Sequence, residues 1–361
     1  MMNTKKILIS PLDWGLGHAS RCVPIIKALI NRNHEIILAG NGASFHYLSK
    51  AFPELKTYSL PGHEIKYGRG YFKWMKLLWQ IPAYLRNIKK ENHALSEIIK
   101  HEDIDAVISD NRYGLWNPTI PCILITHQLH PRSPILNSIL FGLINYYSRK
   151  KISVFNECWI PDFEESPGMA GSLSHPPFSG IKTKYIGPLS RFEKITLSNS
   201  IKTYQILAIL SGPEPQRSLF EESIIQHCLQ HSLTLALVRG LPVSENIRQL
   251  ETGSISYNHC TDAEIINLIN QSEYIISRSG YSSIMDMHIL GKKAIMISTP
   301  GQSEQEYLAK ILVMQKKAII QSQDRMNLPL AMRQMNQLPE IFVTDKGSLL
   351  EQAIIELEKQ I

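Results

Sequence analysis

Short apolar runs alternate along the chain with longer stretches whose apolar residues recur at helical spacing. Each run is rich in β-branched or other apolar residues and is followed by a polar loop, a pattern that is typical of βα units around a parallel sheet. In the first half of the chain the pattern predicts strands at residues 6–10, 35–39, 106–109, 122–126 and 158–160.

The same pattern starts again after the sequence KYIGP, residues 184–188, and predicts a second domain. Its strands are expected at residues 205–210, 233–238, 274–277, 294–298 and 318–320. We expect an α/β protein with two Rossmann-like domains facing a central cleft, because open α/β sheets bind ligands at the carboxyl ends of their strands. The expected boundaries are 1–188 for the N-terminal domain, 189–203 for a polar linker, 204–345 for the C-terminal domain and 346–361 for a last helix that packs back on the N-terminal domain.

Composition narrows the class of protein. The chain has 361 residues, 43% of them hydrophobic, which suffices for a large core. Its five cysteines are scattered without ligand spacing, and their odd number argues against a disulfide framework, so a cytoplasmic location is expected. No signal-peptide core follows the first lysines, and the longest apolar run, residues 135–147, is shorter than the roughly 20 residues of a membrane span.

The net charge of +6 is concentrated in one stretch. Residues 66–90 contain seven lysines and arginines and no acidic residue, and the rest of the chain is close to neutral, which argues against a nucleic acid partner. Within this stretch, GRGYFKWMKLLWQIPAYLRNIKK interleaves aromatic with basic residues. That composition suits an anionic membrane surface, and the alternative is a helix packed on the domain core with a charged rim.

The loop after the first strand reads PLDWGLGHASRC, residues 11–22. Gly15 and Gly17 are expected where the backbone turns into a helix, and a helix N-terminus attracts anions and polar ligands. The loop also carries the ionisable His18. A dinucleotide fingerprint would need glycine where Ser20 stands, and no acidic residue closes the second strand, so a nicotinamide-dependent dehydrogenase is disfavoured.

A second segment with candidate chemistry is SEYIISRSGYSSIMDMHILGKKAIMISTPGQSEQEYLAK, residues 272–310. After its strand, Arg278, Ser279 and Gly280 form a turn, and a helix over residues 282–290 begins with small hydroxyl side chains that suit phosphate oxygens. Asp286, one turn into this helix, can accept hydrogen bonds from ribose hydroxyls. The glutamines and glutamates at residues 302–306 suit the hydroxyls of a sugar.

These two segments resemble the corresponding motifs of GT-B glycosyltransferases, especially family 28, and the resemblance covers most of the chain. It implies transfer of a sugar, such as an N-acetylhexosamine, from a nucleotide diphosphate donor that is UDP-linked, with inversion at the anomeric carbon and without a metal or other cofactor. The donor residues implied are Gly15, Gly17, Ser211, Gly212, Arg278, Ser279, Gly280 and Ser283 around the diphosphate, Asp286 at the ribose, and Gln305 and Glu306 at the donor sugar. Asp286 replaces the family's usual glutamate, Glu306 replaces a glutamine, and Ala309 stands near the expected asparagine.

The acceptor side needs a base close to the reacting hydroxyl. His18 is the first candidate because imidazole titrates near neutrality, and Asp13 and Asp110 are rivals for the same role. His127 is expected at the end of a neighbouring strand, and so on the acceptor side of the same cleft. Arg217 either neutralises charge on the leaving group or faces solvent.

The expected acceptor is lipid-linked or a glycan, and the protein is then expected at the inner face of the cytoplasmic membrane. Two alternatives stay open at this point. One is a nucleotide-sugar 2-epimerase of the same fold, which would use the donor site without an acceptor. The other is a non-catalytic subunit that brings another transferase to the membrane.

Overall fold

The computed structural model describes residues 4–62, 73–131, 138–192, 201–241, 247–341 and 348–361. Within these ranges the first half of the chain forms a parallel sheet with strand order β3-β2-β1-β4-β5-β6-β7. Its strands are β1 (Lys6–Pro11), β2 (Glu35–Gly40), β3 (Lys56–Ser59), β4 (Ala106–Asp110), β5 (Cys122–Ile125), β6 (Glu157–Ile160) and β7 (Thr183–Tyr185). The accompanying helices are α1 (Leu16–Asn31), α2 (Gly42–Ala51), α3 (Lys73–Glu102) and α4 (Ser138–Ile152), and a short 3-10 helix spans Gly171–Leu173.

The second half forms another sheet, with order β10-β11-β9-β8-β12-β13-β14, in which β10 alone among the described strands is antiparallel to its neighbour. The strands are β8 (Tyr204–Ile209), β9 (Leu235–Val238), β10 (Ile247–Gln249), β11 (Ile255–Tyr257), β12 (Ser272–Ser277), β13 (Ala294–Ile297) and β14 (Ala318–Gln321). The helices are α5 (Gln216–Gln230), α6 (Asp262–Gln271), α7 (Tyr281–Ile289), α8 (Ser303–Met314), α9 (Leu328–Met335) and α10 (Ser348–Glu358), with a 3-10 helix at Glu251–Gly253.

Both sheets are covered by apolar side chains on their two faces. Along β1, Ile7 and Ile9 belong to one buried cluster and Leu8 to another on the opposite face, as the alternation of a strand requires. The first of these clusters runs on without interruption from Ile25 in α1 to Ile284 in α7. Residues from both halves of the chain thus belong to one continuous core.

The α/β class with two parallel-dominated sheets agrees with the sequence analysis, and all ten predicted strands have counterparts within a few residues of their expected bounds. The pattern missed β3, β7, β10 and β11. These strands have three or four residues, and their side chains are mostly exposed or half-buried. Short strands with few buried positions carry too little hydrophobic pattern to be recognised.

The C-terminal helix α10 packs against α1. Ala353, Ile354 and Leu357 are buried in the core cluster that includes α1. Glu358 at the end of α10 accepts hydrogen bonds from Arg32 Nε and NH2 at 2.7 and 2.6 Å, and lies 2.8 Å from His34 Nε2. The end of the chain is therefore tied to the N-terminal domain by both apolar and polar contacts.

The basic, aromatic stretch at residues 66–90 falls only partly within the described residues. Tyr71 and Phe72 lie outside them, as do the side chains of Trp74 and Trp79, whereas Arg86, Lys89 and Lys90 on α3 are exposed. A membrane contact through this stretch stays a prediction. In the part of the chain that the structure covers, no helix combines the length and the apolar character needed to cross a bilayer.

Candidate active site

His18 and Asp110 meet at the carboxyl edge of the first sheet. Because β1 and β4 are parallel neighbours with Pro11 opposite Asp110, the loop that follows β1 begins beside that carboxylate. His18 lies in the first turn of α1, and its Nδ1 is 3.1 Å from Asp110 Oδ2. The carboxylate of Asp110 is fully buried, and the imidazole keeps 16% of its surface exposed. Two of the three candidate bases are thus one unit rather than rivals.

Arg21, one turn after His18, completes this cluster. Its Nε donates to Asp110 Oδ2 at 2.7 Å, its NH2 donates to Asp110 Oδ1, and the same NH2 lies 2.8 Å from His18 Nδ1. Burial would raise the pKa of Asp110, but the charge of Arg21 and the hydrogen bonds with Arg21 and His18 together hold the pKa below its ordinary value. Burial and the Arg21 charge lower the pKa of His18, so the imidazole is neutral near pH 7.

The shared Nδ1 gives neutral His18 two tautomers with opposite consequences. When Nδ1 accepts from Arg21, the proton is on Nε2 and the ring has no free lone pair for a substrate. When Nδ1 carries the proton and donates it to Asp110, Nε2 is free to act as a base. Base chemistry at His18 therefore requires the second tautomer, which Asp110 favours.

His127 continues the cluster into the C-terminal domain. Its ring stacks on Tyr281 at the start of α7, with centroids 4.1 Å apart, and its Nδ1 is 3.5 Å from Arg21 NH1. On the other side its Nε2 lies 2.9 Å from Glu304 Oε1, and Gln128 donates to the second oxygen of the same carboxylate. Burial raises the pKa of Glu304, but the hydrogen bond with His127 and the nearby charge of Arg21 together lower it below its ordinary value, so the carboxylate stays charged. His127 therefore lies between the domains, where it contacts a residue of each.

Glycine is required at Gly15 and at Gly17 of the first loop for different structural reasons. Gly15 precedes α1 with φ of 99°, a left-handed conformation that favours glycine. A Cβ at Gly17 would lie 2.7 Å from Ser282 Oγ, which donates a 2.9 Å hydrogen bond to the Gly17 carbonyl. Gly17 is thus the point where the His18 loop touches the first turn of α7.

The turn before α7 is only partly available to a ligand. Gly280 caps the helix with φ of −73°, and a Cβ added there would meet nothing within 4 Å. Ser283 is half-buried in the first turn. The hydroxyl of Ser279, by contrast, is buried and bonded to Ser298 and to the Gln305 carbonyl. Diphosphate contacts at this turn would therefore use backbone N–H groups and Ser283 rather than the Ser279 side chain.

Arg278 differs most from its expected role. Its guanidinium is buried 3.9 Å from the ring centroid of Phe220 and donates to the carbonyls of Gln216 and Ser298 and to Gln323 Oε1. These contacts hold β12, β13 and α5 together. The Arg278 side chain therefore has a structural role, and the expected contact with the donor was wrong.

Arg217 fits neither of its two expected roles. It is buried, and its guanidinium donates to Glu214 and Glu221 at 2.6 and 2.5 Å. The positive charge is thus neutralised within α5 and the turn before it. Ser211 and Gly212, at the end of β8, are exposed, and Gly212 has φ of 108°.

Asp286 lies inside a small polar cluster at the junction of the domains. Its Oδ1 accepts a 2.5 Å hydrogen bond from Ser190 Oγ. Arg191 pairs with Asp262 at 3.2 Å and lies close enough to influence Asp286. Burial raises the pKa of Asp286 to about 6, although Arg191 and Ser190 act in the opposite direction. The first residues of the segment expected as a linker, 189–192, are thus packed beside this site.

Gln305 and Glu306 begin α8 and both reach back to the loop before it. Gln305 Oε1 accepts from the Thr299 N–H at 2.8 Å, which leaves the amide nitrogen as the group that can donate to a ligand. Glu306 Oε1 accepts from the Gly301 N–H at 3.2 Å and is exposed. Thr299 Oγ1 is buried without a hydrogen-bond partner, and a Cβ added at Gly212 would lie 4.0 Å from it.

Asp13 does not join the His18 cluster. Its Oδ1 accepts from the Ser44 N–H at 3.1 Å, in the first turn of α2, and its carboxylate fills the space where a Cβ on Gly42 would lie. The structure therefore separates this third candidate base from the other two.

The sequence analysis missed Arg21 and Ser190, and it missed the contact of Glu304 with His127. Only Arg21 could have been found from the sequence, because it follows His18 by three residues and the two side chains therefore share one face of a helix. The partnership of Glu304 with His127 joins residues far apart in the chain, and no local pattern encodes it. Thr261 and Glu264 form a capping box at the start of α6.

Sequence comparisons match this chain to glycosyltransferases. Residues 243–344 match the glycosyltransferase family 28 C-terminal domain. An uncharacterized glycosyltransferase of Methanosarcina mazei is 24% identical over 328 residues, which are 85% of this chain and 83% of the relative.

Solved structures similar in fold include the glycotransferase of kitacinnamycin, with a TM-score of 0.62, 14% identity and coverage of 99% of this chain and 95% of that one. Arabidopsis thaliana UGT89C1 in complex with UDP-L-rhamnose has a TM-score of 0.61 at 13% identity, covering 99% and 98%. Acinetobacter baumannii MurG has a TM-score of 0.55 at 12% identity, covering 99% and 100%. The solved structures show the GT-B fold, and together with the matched C-terminal domain and the named relatives they support a glycosyltransferase that is similar to family 28.

Proposed function

We propose that this glycosyltransferase transfers a sugar from a UDP-linked donor, with an N-acetylhexosamine as the expected sugar, to an acceptor hydroxyl with inversion. The observation that carries the proposal is the hydrogen bond from Ser282 Oγ to the Gly17 carbonyl. It joins the loop bearing the candidate base to the helix N-terminus that suits a diphosphate. The candidate base and the proposed site of the leaving diphosphate are therefore adjacent.

In the proposed reaction, Nε2 of His18 takes the proton of the acceptor hydroxyl while Asp110 accepts the hydrogen bond from Nδ1–H. The acceptor oxygen forms a bond to the anomeric carbon as the bond from that carbon to the donor diphosphate breaks. The diphosphate leaves with the electron pair and is stabilised by backbone N–H groups of α7 after Gly280. One direct displacement inverts the anomeric centre.

We propose that this stabilisation by α7 replaces a metal ion. The first-turn N–H groups of a helix point at a bound anion and supply positive dipolar charge without a cation. Turnover is accordingly expected to persist in the presence of EDTA.

The donor assignment is tested by thermal shift of the purified protein. UDP or a UDP-sugar should raise the melting temperature, since a ligand that binds only the folded state stabilises it. TDP, GDP and NAD serve as comparisons. The Asp286→Ala variant should lose the shift, and the Asp262→Ala variant, which alters the neighbouring partner of Arg191, should keep it. Stabilisation by NAD alone, or by none of these ligands, would contradict the proposal.

The same site predicts a pH dependence of donor binding. With a pKa of about 6, the Asp286 carboxylate becomes protonated as the pH falls through that value and then accepts ribose hydrogen bonds less well. The affinity for a UDP-sugar should therefore fall between about pH 7 and about pH 5. A UDP-sugar is the suitable ligand because both ends of its diphosphate are esterified. Its phosphates therefore keep the same charge between about pH 7 and about pH 5. The Asp286→Asn variant should bind with a flat profile over this range, and an unchanged slope would contradict the role of Asp286.

We also propose a peripheral contact with an anionic membrane through residues 66–90, supported by their basic and aromatic composition. Flotation with phosphatidylglycerol vesicles should recover the protein, and neutral phosphatidylcholine vesicles should not. Replacing Arg86, Lys89 and Lys90 together by glutamine should weaken the recovery, since these exposed side chains supply part of the charge. Equal recovery with both vesicles would contradict this contact.

A further inference from the structure

Arg21 lies at the centre of the buried cluster that contains the candidate base. Its side chain is only 2% exposed, and its guanidinium faces groups from three parts of the fold. These groups are His18 on the same helix, Asp110 at the end of β4 and His127 after β5. A guanidinium carries several N–H donors in a rigid plane and no acceptor, so one such group can fix several acceptors at once.

The contact with Asp110 fixes the orientation of its carboxylate. Arg21 Nε donates to Oδ2 at 2.7 Å and NH2 donates to Oδ1, so the two side chains form a bidentate pair. The same Oδ2 lies 3.1 Å from His18 Nδ1. A single hydrogen bond would let the carboxylate rotate about its Cβ–Cγ bond, whereas a bidentate pair holds its plane. The oxygen that meets the imidazole is therefore held in place by Arg21.

Arg21 also supplies the positive charge beside the imidazole. Its NH2 lies 2.8 Å from His18 Nδ1, and its charge persists over the whole pH range in which an imidazole titrates. Asp110 acts on the ring in the opposite direction, and His127 and Glu304 also influence it. Burial and the charge of Arg21 outweigh the effect of Asp110 and lower the pKa of His18. Arg21 thus opposes the attraction of Asp110 for a second proton on the ring.

The second imidazole of the cluster faces the same guanidinium. Arg21 NH1 lies 3.5 Å from His127 Nδ1, and His127 Nε2 lies 2.9 Å from Glu304 Oε1. Because the guanidinium offers only donors, Nδ1 faces it as an acceptor and the ring proton belongs on Nε2, towards the carboxylate. One arginine therefore lies against the Nδ1 atoms of both histidines.

We propose that Arg21 is a positioning residue of the transfer reaction, which holds the Asp110 carboxylate in one orientation and keeps the neighbouring imidazole of His18 uncharged and ready to accept a proton. The inference rests on the proposed function, because it takes His18 to be the base. An arginine with a structural role alone would neutralise Asp110 in the core and leave proton transfer unaffected.

NMR titration of the full chain with labelled histidine ring carbons tests the effect of charge without a turnover assay. The His18 signal is identified by its absence in the His18→Ala variant. In the unaltered protein the ring should stay neutral below about pH 6.5, the ordinary pKa of an imidazole. The Arg21→Gln variant keeps a donor at the place of Nε but loses the charge, so the titration should move to higher pH by about one unit or more. The Arg21→Lys variant keeps the charge, and the titration should stay near its original place.

Initial rates of UDP release from saturating UDP-N-acetylglucosamine, with water in place of the acceptor hydroxyl, test the effect of orientation. In Arg21→Gln the acid limb of the rate profile should move to higher pH together with the His18 titration. In Arg21→Lys the limb should stay in place while the rate falls by up to about 10², because an ammonium group cannot hold the carboxylate bidentately. Arg32→Gln is the matched control. It breaks the ion pair with Glu358 at the other end of α1 and should change neither the titration nor the rate.

The outcomes separate this inference from the proposed function. A His18 titration that does not move in Arg21→Gln overturns the inference, and so does a full rate with an unchanged profile in both Arg21 variants. If Arg21→Gln does not fold, Arg21→Lys decides. A reduced rate with an unshifted titration then supports the inference, and a full rate overturns it. Unaltered turnover in His18→Ala would refute the base itself. Turnover that is lost in His18→Ala but kept in both Arg21 variants refutes the positioning role alone.

Discussion

Replacing His18 by alanine is expected to lower turnover by a factor of about 10² to 10⁴, the range that a positioned general base contributes. The acceptor hydroxyl would then lose its proton to water rather than to Nε2. Donor binding should persist, because the proposed diphosphate and ribose contacts come from the other domain. Initial rates with saturating UDP-sugar, together with the thermal shift induced by UDP, measure the two effects separately.

His46→Ala is the matched control for this variant, since His46 is exposed on α2 and lies outside the His18 cluster. It should retain both the rate and the thermal shift. A His18→Ala variant with unaltered turnover would refute the assignment of the base. A variant that lost the UDP shift as well would indicate that the loop positions the donor.

Replacing Asp110 by asparagine is expected to affect both rate and stability. An amide nitrogen facing His18 Nδ1 would donate to it, so that the imidazole proton moves to Nε2 and blocks the base. Turnover should therefore fall by about 10² or more. Arg21, which is buried, would lose its carboxylate partner, and removing one member of a buried ion pair costs about 3–5 kcal/mol of the free energy of unfolding.

Urea denaturation measures the loss in free energy of unfolding. Initial rates, taken at a temperature where the variant stays folded, measure the loss of turnover separately. Asp105→Asn is the control, because Asp105 lies just before β4, at its opposite end, and is half-exposed. It should cost less free energy of unfolding and leave turnover unchanged. If Asp110→Asn lost stability but kept its turnover, Asp110 would have a structural role only.

The strands and the helix starts were predictable because their signals are local. A strand such as β4 has five consecutive buried residues. Gly15 indicates a turn because its positive φ is a conformation that glycine adopts more easily than other residues. The proximity of His18 to Asp110 followed from the rule that parallel strands end at one edge, although the sequence left the two as competitors. Which of them contacts the other required the strand order.

The errors concern side chains whose partners are distant in the chain. Arg278 and Ser279 occupy positions beside a helix N-terminus, and nothing local distinguishes a side chain that faces the cleft from one that folds under the sheet. The orientation of Arg278 depends on Phe220 and Gln216, about sixty residues earlier, and on Gln323 further on. A motif therefore locates a turn more reliably than it assigns the atoms that the turn offers.

The pairing of Glu304 with His127 has a consequence for the order of events during turnover. Glu304 belongs to the polar stretch that suits sugar hydroxyls, yet it binds a residue of the opposite domain. If the proposed donor sugar binds this carboxylate, it competes with His127, and donor binding is then thermodynamically linked to loss of the contact between the two domains. We expect the empty protein to behave as a self-inhibited form, in which the domains hold each other through the atoms that a substrate needs.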